Sequence, residues 1–380
     1  MSLLERFDSP GPKRILALDG GGIRGALTVG YLIEIERLLQ TRHEDPSLLL
    51  CDYFDLIAGT STGAIIASLL AVGKSASEIA NLYEDLGGKI FEKKYSWWKP
   101  WQTDERTAAA FDSKPIELEL RRILGDVKLG SDTPDVRTGL CIVTKRADSQ
   151  STWPLINHPR GKYFTHNAPI PLAVAVRASS AAPTYFVPEE IDVGGGEMGA
   201  FVDGGVSMFN NPALQALMVA WLDGFPLHWE QGEDRLLLVS VGTGYWSHKR
   251  ERRKVLDAKL WDWAGAVPGM LMEDATWHNQ LLLQWLSKSP TAREIDREVG
   301  DLRNDRLGDV SLLTYLRYDV ELSKDGLAKL GLPLASRAEE LREMSKADNR
   351  ADLASIGVEA GKAHVKDEHF PVAFDLRGRA

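Results

Sequence analysis

Three short segments carry residue types suited to acyl chemistry. Asp19-Gly20-Gly21-Gly22-Ile23-Arg24-Gly25 is backbone with few side chains. Consecutive glycine N–H groups at a helix start converge on one point. There they can stabilise a developing alkoxide or receive a pyrophosphate. Gly59-Thr60-Ser61-Thr62-Gly63 holds a serine in GxSxG spacing. Small flanking residues permit the sharp strand-to-helix turn that raises a nucleophilic hydroxyl. Asp203-Gly204-Gly205 supplies a carboxylate followed by turn-forming residues.

A serine nucleophile needs a base. The eight histidines, His43, His158, His166, His228, His248, His278, His364 and His369, sit in no recognisable motif. The order Ser61, Asp203 and a later histidine is nevertheless allowed for a triad. The alternative is a dyad in which Asp203 takes the Ser61 proton directly and then activates water. An exposed aspartate, with a pKa near ~3.9, is a poor base. A dyad therefore requires Asp203 to be desolvated.

Positioning these segments is the task of the surrounding elements. Arg14–Leu18 reads as a buried strand before the glycine loop, and Gly25–Leu39 as the helix after it. Tyr53–Ala58 reads as a strand leading to Ser61. Thr62–Val72, apolar on nearly all sides, reads as a buried helix. Thr138–Lys145, Phe201–Asp203 and Leu236–Val241 are further strands; Ser77–Leu86, Pro115–Leu124 and Pro171–Ser179 are helices. Such alternation predicts a mostly parallel sheet covered on both faces. Ligands of open α/β sheets bind at the C-terminal strand edge, which Asp203 is placed to face.

The composition agrees with a globular enzyme. The 380 residues are 44% hydrophobic and 26% charged, which excludes a disordered chain and a collagen-like repeat. A net charge of -9 argues against a general nucleic-acid binder. Two cysteines, Cys51 and Cys141, cannot build a disulfide framework and fit a reducing compartment. The first residues lack the apolar core of a secretory signal, and no apolar run approaches the ~20 residues of a membrane helix. Any membrane contact is expected to be peripheral, from the cytoplasm.

LDGGGIRG, FDLIAGTSTGAIIAS and FVDGG, in this order, resemble the patatin-like phospholipase family. Ala178–Phe186 (ASSAAPTYF), Asn210-Asn211-Pro212 and Leu238–Gly244 (LVSVGTG) are similar to it as well. The resemblance covers about residues 15–244. It implies a three-layer α/β/α fold with a mostly parallel central sheet and a catalytic domain over 15–245; the change of character after Gly244 marks 246–380 as a helical C-terminal region. It also implies Ser61 as nucleophile and Asp203 as base, without a histidine. Gly20, Gly21, Gly22 and Gly25 would form or support the oxyanion loop. Arg24 would occupy its basic position, and Thr62, beside the nucleophile, would join the oxyanion and substrate-binding set. The implied activity is hydrolysis of acyl esters in membrane or micellar phospholipid, with no metal and no cofactor. A histidine-dependent esterase and a lipid-binding protein that retains the fold are the alternatives. Some bacterial relatives are dormant until a nucleotide signal activates them, often by assembly. A nucleotide activator and a homo-oligomer are therefore candidate partners, whereas a nucleic acid polymer is not. The resemblance also disfavours dinucleotide binding. Glu44 and Asp45 lie near the distance for a ribose ligand, but within the polar segment Thr41–Ser47 rather than after a strand.

Eleven tryptophans are the remaining signal. Trp97, Trp98 and Trp101 stand among Lys93, Lys94 and Lys99, a pattern suited to a lid or docking loop at a membrane interface. Trp261, Trp263, Trp277 and Trp285 lie in the helical stretch Lys259–Leu286, just after the charge run His248–Lys254.

Overall fold

The computed structural model describes residues 1–90, 112–246, 251–305, 307–308 and 310–376. Among these, one sheet collects β1 (Lys13–Leu18), β2 (Leu56–Thr60), β3 (Gly139–Arg146), β4 (Ser151–Ile156), β5 (Glu189–Asp192), β6 (Met198–Asp203), β7 (Leu236–Val241), β8 (Ser287–Lys288) and β9 (Leu313–Tyr318). The hydrogen-bonded path runs β5-β6-β3-β2-β1-β7-β9-β8, and β4 pairs with β3 in addition. Pairings from β3 through β2, β1, β7, β9 and β8 are parallel; β4 and β6 run antiparallel to β3.

Every residue of β2, β7 and β9 is buried. Strands apolar on both sides need cover on both faces, which is the condition of a parallel sheet between helices. The helix Thr62–Ala71 goes further, with all ten residues buried. Its sequence TGAIIASLLA has no polar face to offer water. The expected α/β architecture is thus present. The expected strand Tyr53–Ala58 begins later, at Leu56. Leu50–Tyr53 instead forms one helical turn, in which the Asp52 carboxylate accepts from the Leu49 N–H at 3.2 Å.

Among the described residues beyond 246, helices alternate with irregular segments and the strands β8 and β9. The sheet therefore runs across the boundary placed at 245/246. The helix Arg350–His364 packs along the helix Gly25–Arg42 that follows the glycine loop. Glycines make the crossing close: a Cβ on Gly30 would strike the Gly357 backbone, and one on Gly357 would strike the Leu27 carbonyl. Gly30 thus serves packing and takes no part in the chemistry of the neighbouring loop.

Candidate active site

Ser61 stands between the end of β2 and the start of the buried helix. Its φ of 55° and ψ of -125° lie in a region that L-residues rarely occupy. Glycines make that turn possible. A Cβ on Gly59 would strike the Gly63 carbonyl, and one on Gly63 the Leu18 carbonyl. The Ser61 N–H donates to Ser179 Oγ at 2.9 Å, and that hydroxyl donates to the Val143 carbonyl at 2.7 Å. The elbow is therefore pinned from β3, which leaves the Ser61 side chain free to face the cavity.

Asp203 reaches Ser61 through strand register. β2 pairs with β3 as far as Thr60 opposite Val143, and β6 as far as Asp203 opposite Thr144. β4 occupies the other edge of β3 at both positions. The two strands therefore share one edge and end head to head. Gly204 continues without room for a side chain, since a Cβ there would strike the Val143 carbonyl. The Asp203 carboxylate accepts from the Gly205 N–H at 2.7 Å and lines the same cavity as Ser61. Only 4% of Asp203 is exposed. Burial pushes its carboxyl up to about 6, against the nearby Ser61 hydroxyl, the Gly205 N–H and the charge of Arg177, which act downward. The desolvation that a dyad requires is thus present.

The glycine loop divides by function. The Gly20 N–H donates to the Asn210 carbonyl at 3.0 Å, and Ile23 N–H to the Met344 carbonyl at 2.9 Å. Among the described residues, the N–H groups of Gly21 and Gly22, and that of Thr62 at the helix start, have no protein acceptor. Gly21, Gly22, Ser61, Thr62 and Asp203 all line one cavity. These N–H groups can therefore receive an oxyanion. Gly22 has a φ of +59° and faces the Met344 carbonyl, so it tolerates no side chain. Gly20 and Gly25 are close-approach positions: a Cβ on Gly20 would crowd Asn210, and one on Gly25 would crowd Thr62 and Tyr83. Thr62 Oγ1 shares a short hydrogen bond with the Tyr83 hydroxyl. Arg24 is turned away from the cavity. Its guanidinium lies over Trp246, 4.9 Å from the ring centroid, and Nε reaches the Gly21 carbonyl at 3.5 Å. It braces the loop and is not among the residues that line the cavity.

Sequence reading missed the group beneath the loop. Arg317 on β9 donates to both carboxylate oxygens of Asp19, at 2.8 and 2.6 Å, and to Asp319 at 2.8 Å and Ser240 Oγ at 2.7 Å. All four residues are buried or nearly so. Burial pushes Asp19 up to about 6, with Arg317 opposing. Nothing in the local sequence around residue 317 signals this role. Removing one partner of a buried ion pair leaves an uncompensated charge, at a cost of about 3–5 kcal/mol. Arg317→Met is therefore expected to lose that much stability, read as a lower urea midpoint at unchanged slope. An unchanged midpoint would count against the network.

The shared cavity has a volume of about 1640 Å³, above the roughly 300–1,000 Å³ of ordinary small-molecule sites. Its walls include Ile65, Ile116, Phe186, Met208 and Leu281. Of the described histidines only His278 lines it. His158 stacks on Phe7, and His364 and His369 bond Tyr31 and Tyr318. Trp97, Trp98 and Trp101 lie outside the described residues.

A parallel α/β sheet that presents an elbow serine, a buried aspartate and a glycine loop at one edge defines a class of α/β hydrolytic folds. The model of the patatin-like phospholipases matches residues 16–217, and the chain belongs to that family. It is 33% identical over 245 residues to a cGAMP-activated phospholipase of Escherichia coli (strain TW11681), covering 64% of this chain and 65% of the relative. A second cGAMP-activated phospholipase, from Vibrio cholerae serotype O1, is 34% identical over 238 residues, covering 60% and 64%. Patatin-like protein 4 of Arabidopsis thaliana is 30% identical over 279 residues, covering 66% and 64%. The chain thus spans just under two thirds of the length of each of these relatives.

Proposed function

We propose that this protein is a phospholipase of the A type, which cleaves acyl esters of membrane glycerophospholipids and releases free fatty acid. The observation that carries this reading is that Ser61 and Asp203 line one large, mainly apolar cavity beside the unpaired N–H groups of Gly21 and Gly22. In the first step Ser61 Oγ attacks the ester carbonyl as its proton passes to Asp203. The carbonyl oxygen becomes an oxyanion held by the Gly21 and Gly22 N–H groups. Collapse expels the lysolipid alkoxide, which takes the proton from Asp203, and leaves an acyl-serine. Water then gives a proton to Asp203 and attacks the acyl carbonyl. When that intermediate collapses, the proton returns to Ser61 and the fatty acid leaves. Raising Asp203 to about 6 brings its proton affinity closer to that of the groups it serves, while it stays largely ionised at neutral pH.

Nucleotide control is part of the proposal. Its support is that the Escherichia coli and Vibrio cholerae relatives carry cGAMP activation in their names. Vesicles of phosphatidylethanolamine and phosphatidylglycerol are incubated with the chain, with and without cGAMP, and products are read by mass spectrometry. Free fatty acid and lysolipid are expected, with release at least tenfold faster when cGAMP is present. Release that ignores cGAMP would remove this control and leave the hydrolase reading; no release under either condition would defeat the hydrolase reading. Sizing the protein in both states tests homo-oligomer formation.

A further inference from the structure

The helix Leu260–Leu286 changes character along its length. Its second half is built into the protein. Leu283 is fully buried, Asn279 donates to the Met208 carbonyl at 2.7 Å, and Gln284 donates to the carbonyls of Arg293 and Asp301 at 3.0 Å. Its first half is not. Leu260, Trp261, Trp263, Val267, Met270 and Leu271 are exposed, Trp261 at 83%, and so is Leu256 just upstream. Large apolar side chains gathered at one helix end mark an interaction surface.

Two observations identify the occupant. The first is charge. Residues 247–262 carry six Lys/Arg against three Asp/Glu, within a chain of net charge -9. Arg252, Arg253, Lys254 and Lys259 are all exposed, although Lys254 also lies 3.7 Å from Glu251. Tryptophan and leucine beside a cluster of cations suit the boundary between lipid headgroups and acyl chains, where each cation adds attraction to anionic lipid. The second is continuity. Val267 and Leu271, on the same exposed stretch, also line the cavity that holds Ser61. The apolar surface thus runs into the rim of that cavity.

We propose that residues 252–263 dock this protein on an anionic lipid bilayer. Leu256, Leu260, Trp261 and Trp263 enter the headgroup–acyl boundary, and Arg252, Arg253, Lys254 and Lys259 meet the lipid phosphates. The proposal rests on the phospholipase reading of the Ser61 site, because a bilayer at this rim lets a lipid pass into the cavity without crossing water. A second copy of the chain seated here would cover the same rim.

The test separates docking from turnover. In a Ser61→Ala background, vesicles of phosphatidylethanolamine with phosphatidylglycerol, or of phosphatidylcholine alone, are sedimented with the protein. Leu260→Ser/Trp261→Ser/Trp263→Ser is expected to lower binding to the anionic vesicles at least tenfold. Arg252→Gln/Arg253→Gln/Lys254→Gln is expected to abolish the preference for them over phosphatidylcholine. With Ser61 restored, the apolar variant should hydrolyse a soluble short-chain ester at the parental rate and vesicle lipid at least tenfold more slowly. Vesicle binding undiminished in both variants would overturn the proposal. So would loss of self-association in the apolar variant with vesicle binding intact, which would assign the surface to a second copy. If the parental chain hydrolyses no ester, the phospholipase reading fails, and the sedimentation still decides docking on its own.

Discussion

Ser61→Ala is expected to reduce fatty acid release by at least about 10⁴-fold, to the level left by binding and the oxyanion donors alone. The substitution removes one oxygen and leaves the elbow intact. The Ser61 N–H bond to Ser179 Oγ is made by the backbone, and so are the close approaches at Gly59 and Gly63. Alanine has the same Cβ as serine, so the cost of a φ of 55° does not change. The melting temperature should therefore stay within a few degrees of the parental value, because a small surface-to-cavity change is worth little. Retained fatty acid release in a pure preparation would defeat the nucleophile assignment. Retained lipid binding with lost hydrolysis is the expected pairing, and it also excludes a protein that only binds lipid.

Asp203→Asn carries the second large effect, a loss of roughly 10³-fold or more. Asparagine keeps the shape and can still accept from the Gly205 N–H, which the carboxylate meets at 2.7 Å. What it lacks is the ability to take a proton from Ser61. The pH profile sharpens the test. Burial raises the Asp203 carboxyl from 3.8 to about 6, and only its ionised form is a base. The parental kcat/KM should therefore fall tenfold per pH unit below about pH 6 and level off above it. A histidine base would produce a similar curve, since an ordinary histidine titrates near ~6.5. His278→Ala separates the two, because His278 is the described histidine that lines the cavity. Under the dyad it preserves both the plateau and the inflection. Loss of the inflection in His278→Ala, with full activity in Asp203→Asn, would transfer the base to histidine.

Some of this architecture was legible in the residues alone. The run RILAL before a glycine cluster, and a serine turn before TGAIIASLLA, are local patterns. Their strands and helices appear at β1, β2 and the helix Thr62–Ala71. Strand starts were less legible. The apolar Tyr53 and Phe54 read as strand by type, yet capping by Asp52 turns the preceding residues into a helix. Arg24 carries a positive charge into a loop read as an oxyanion site. Its orientation over Trp246 depends on a residue 222 positions later.

Neighbouring residues suffice for the local devices: a glycine loop able to bare its N–H groups, an elbow able to hold a serine at positive φ, and an aspartate at a strand end. These follow from steric limits and backbone hydrogen bonding within a few residues. Their joint action depends on packing between remote segments. The meeting of Asp203 with Ser61 comes from two strands that end head to head on β3, and register between distant strands is set by pairing across the whole sheet. The basicity of Asp203 comes from its burial, which no neighbour in sequence supplies. The bracing of Asp19 by Arg317 joins β1 to a strand nearly 300 residues away. In each case the deciding quantity is desolvation or contact between remote segments, and those exist only once the chain has packed.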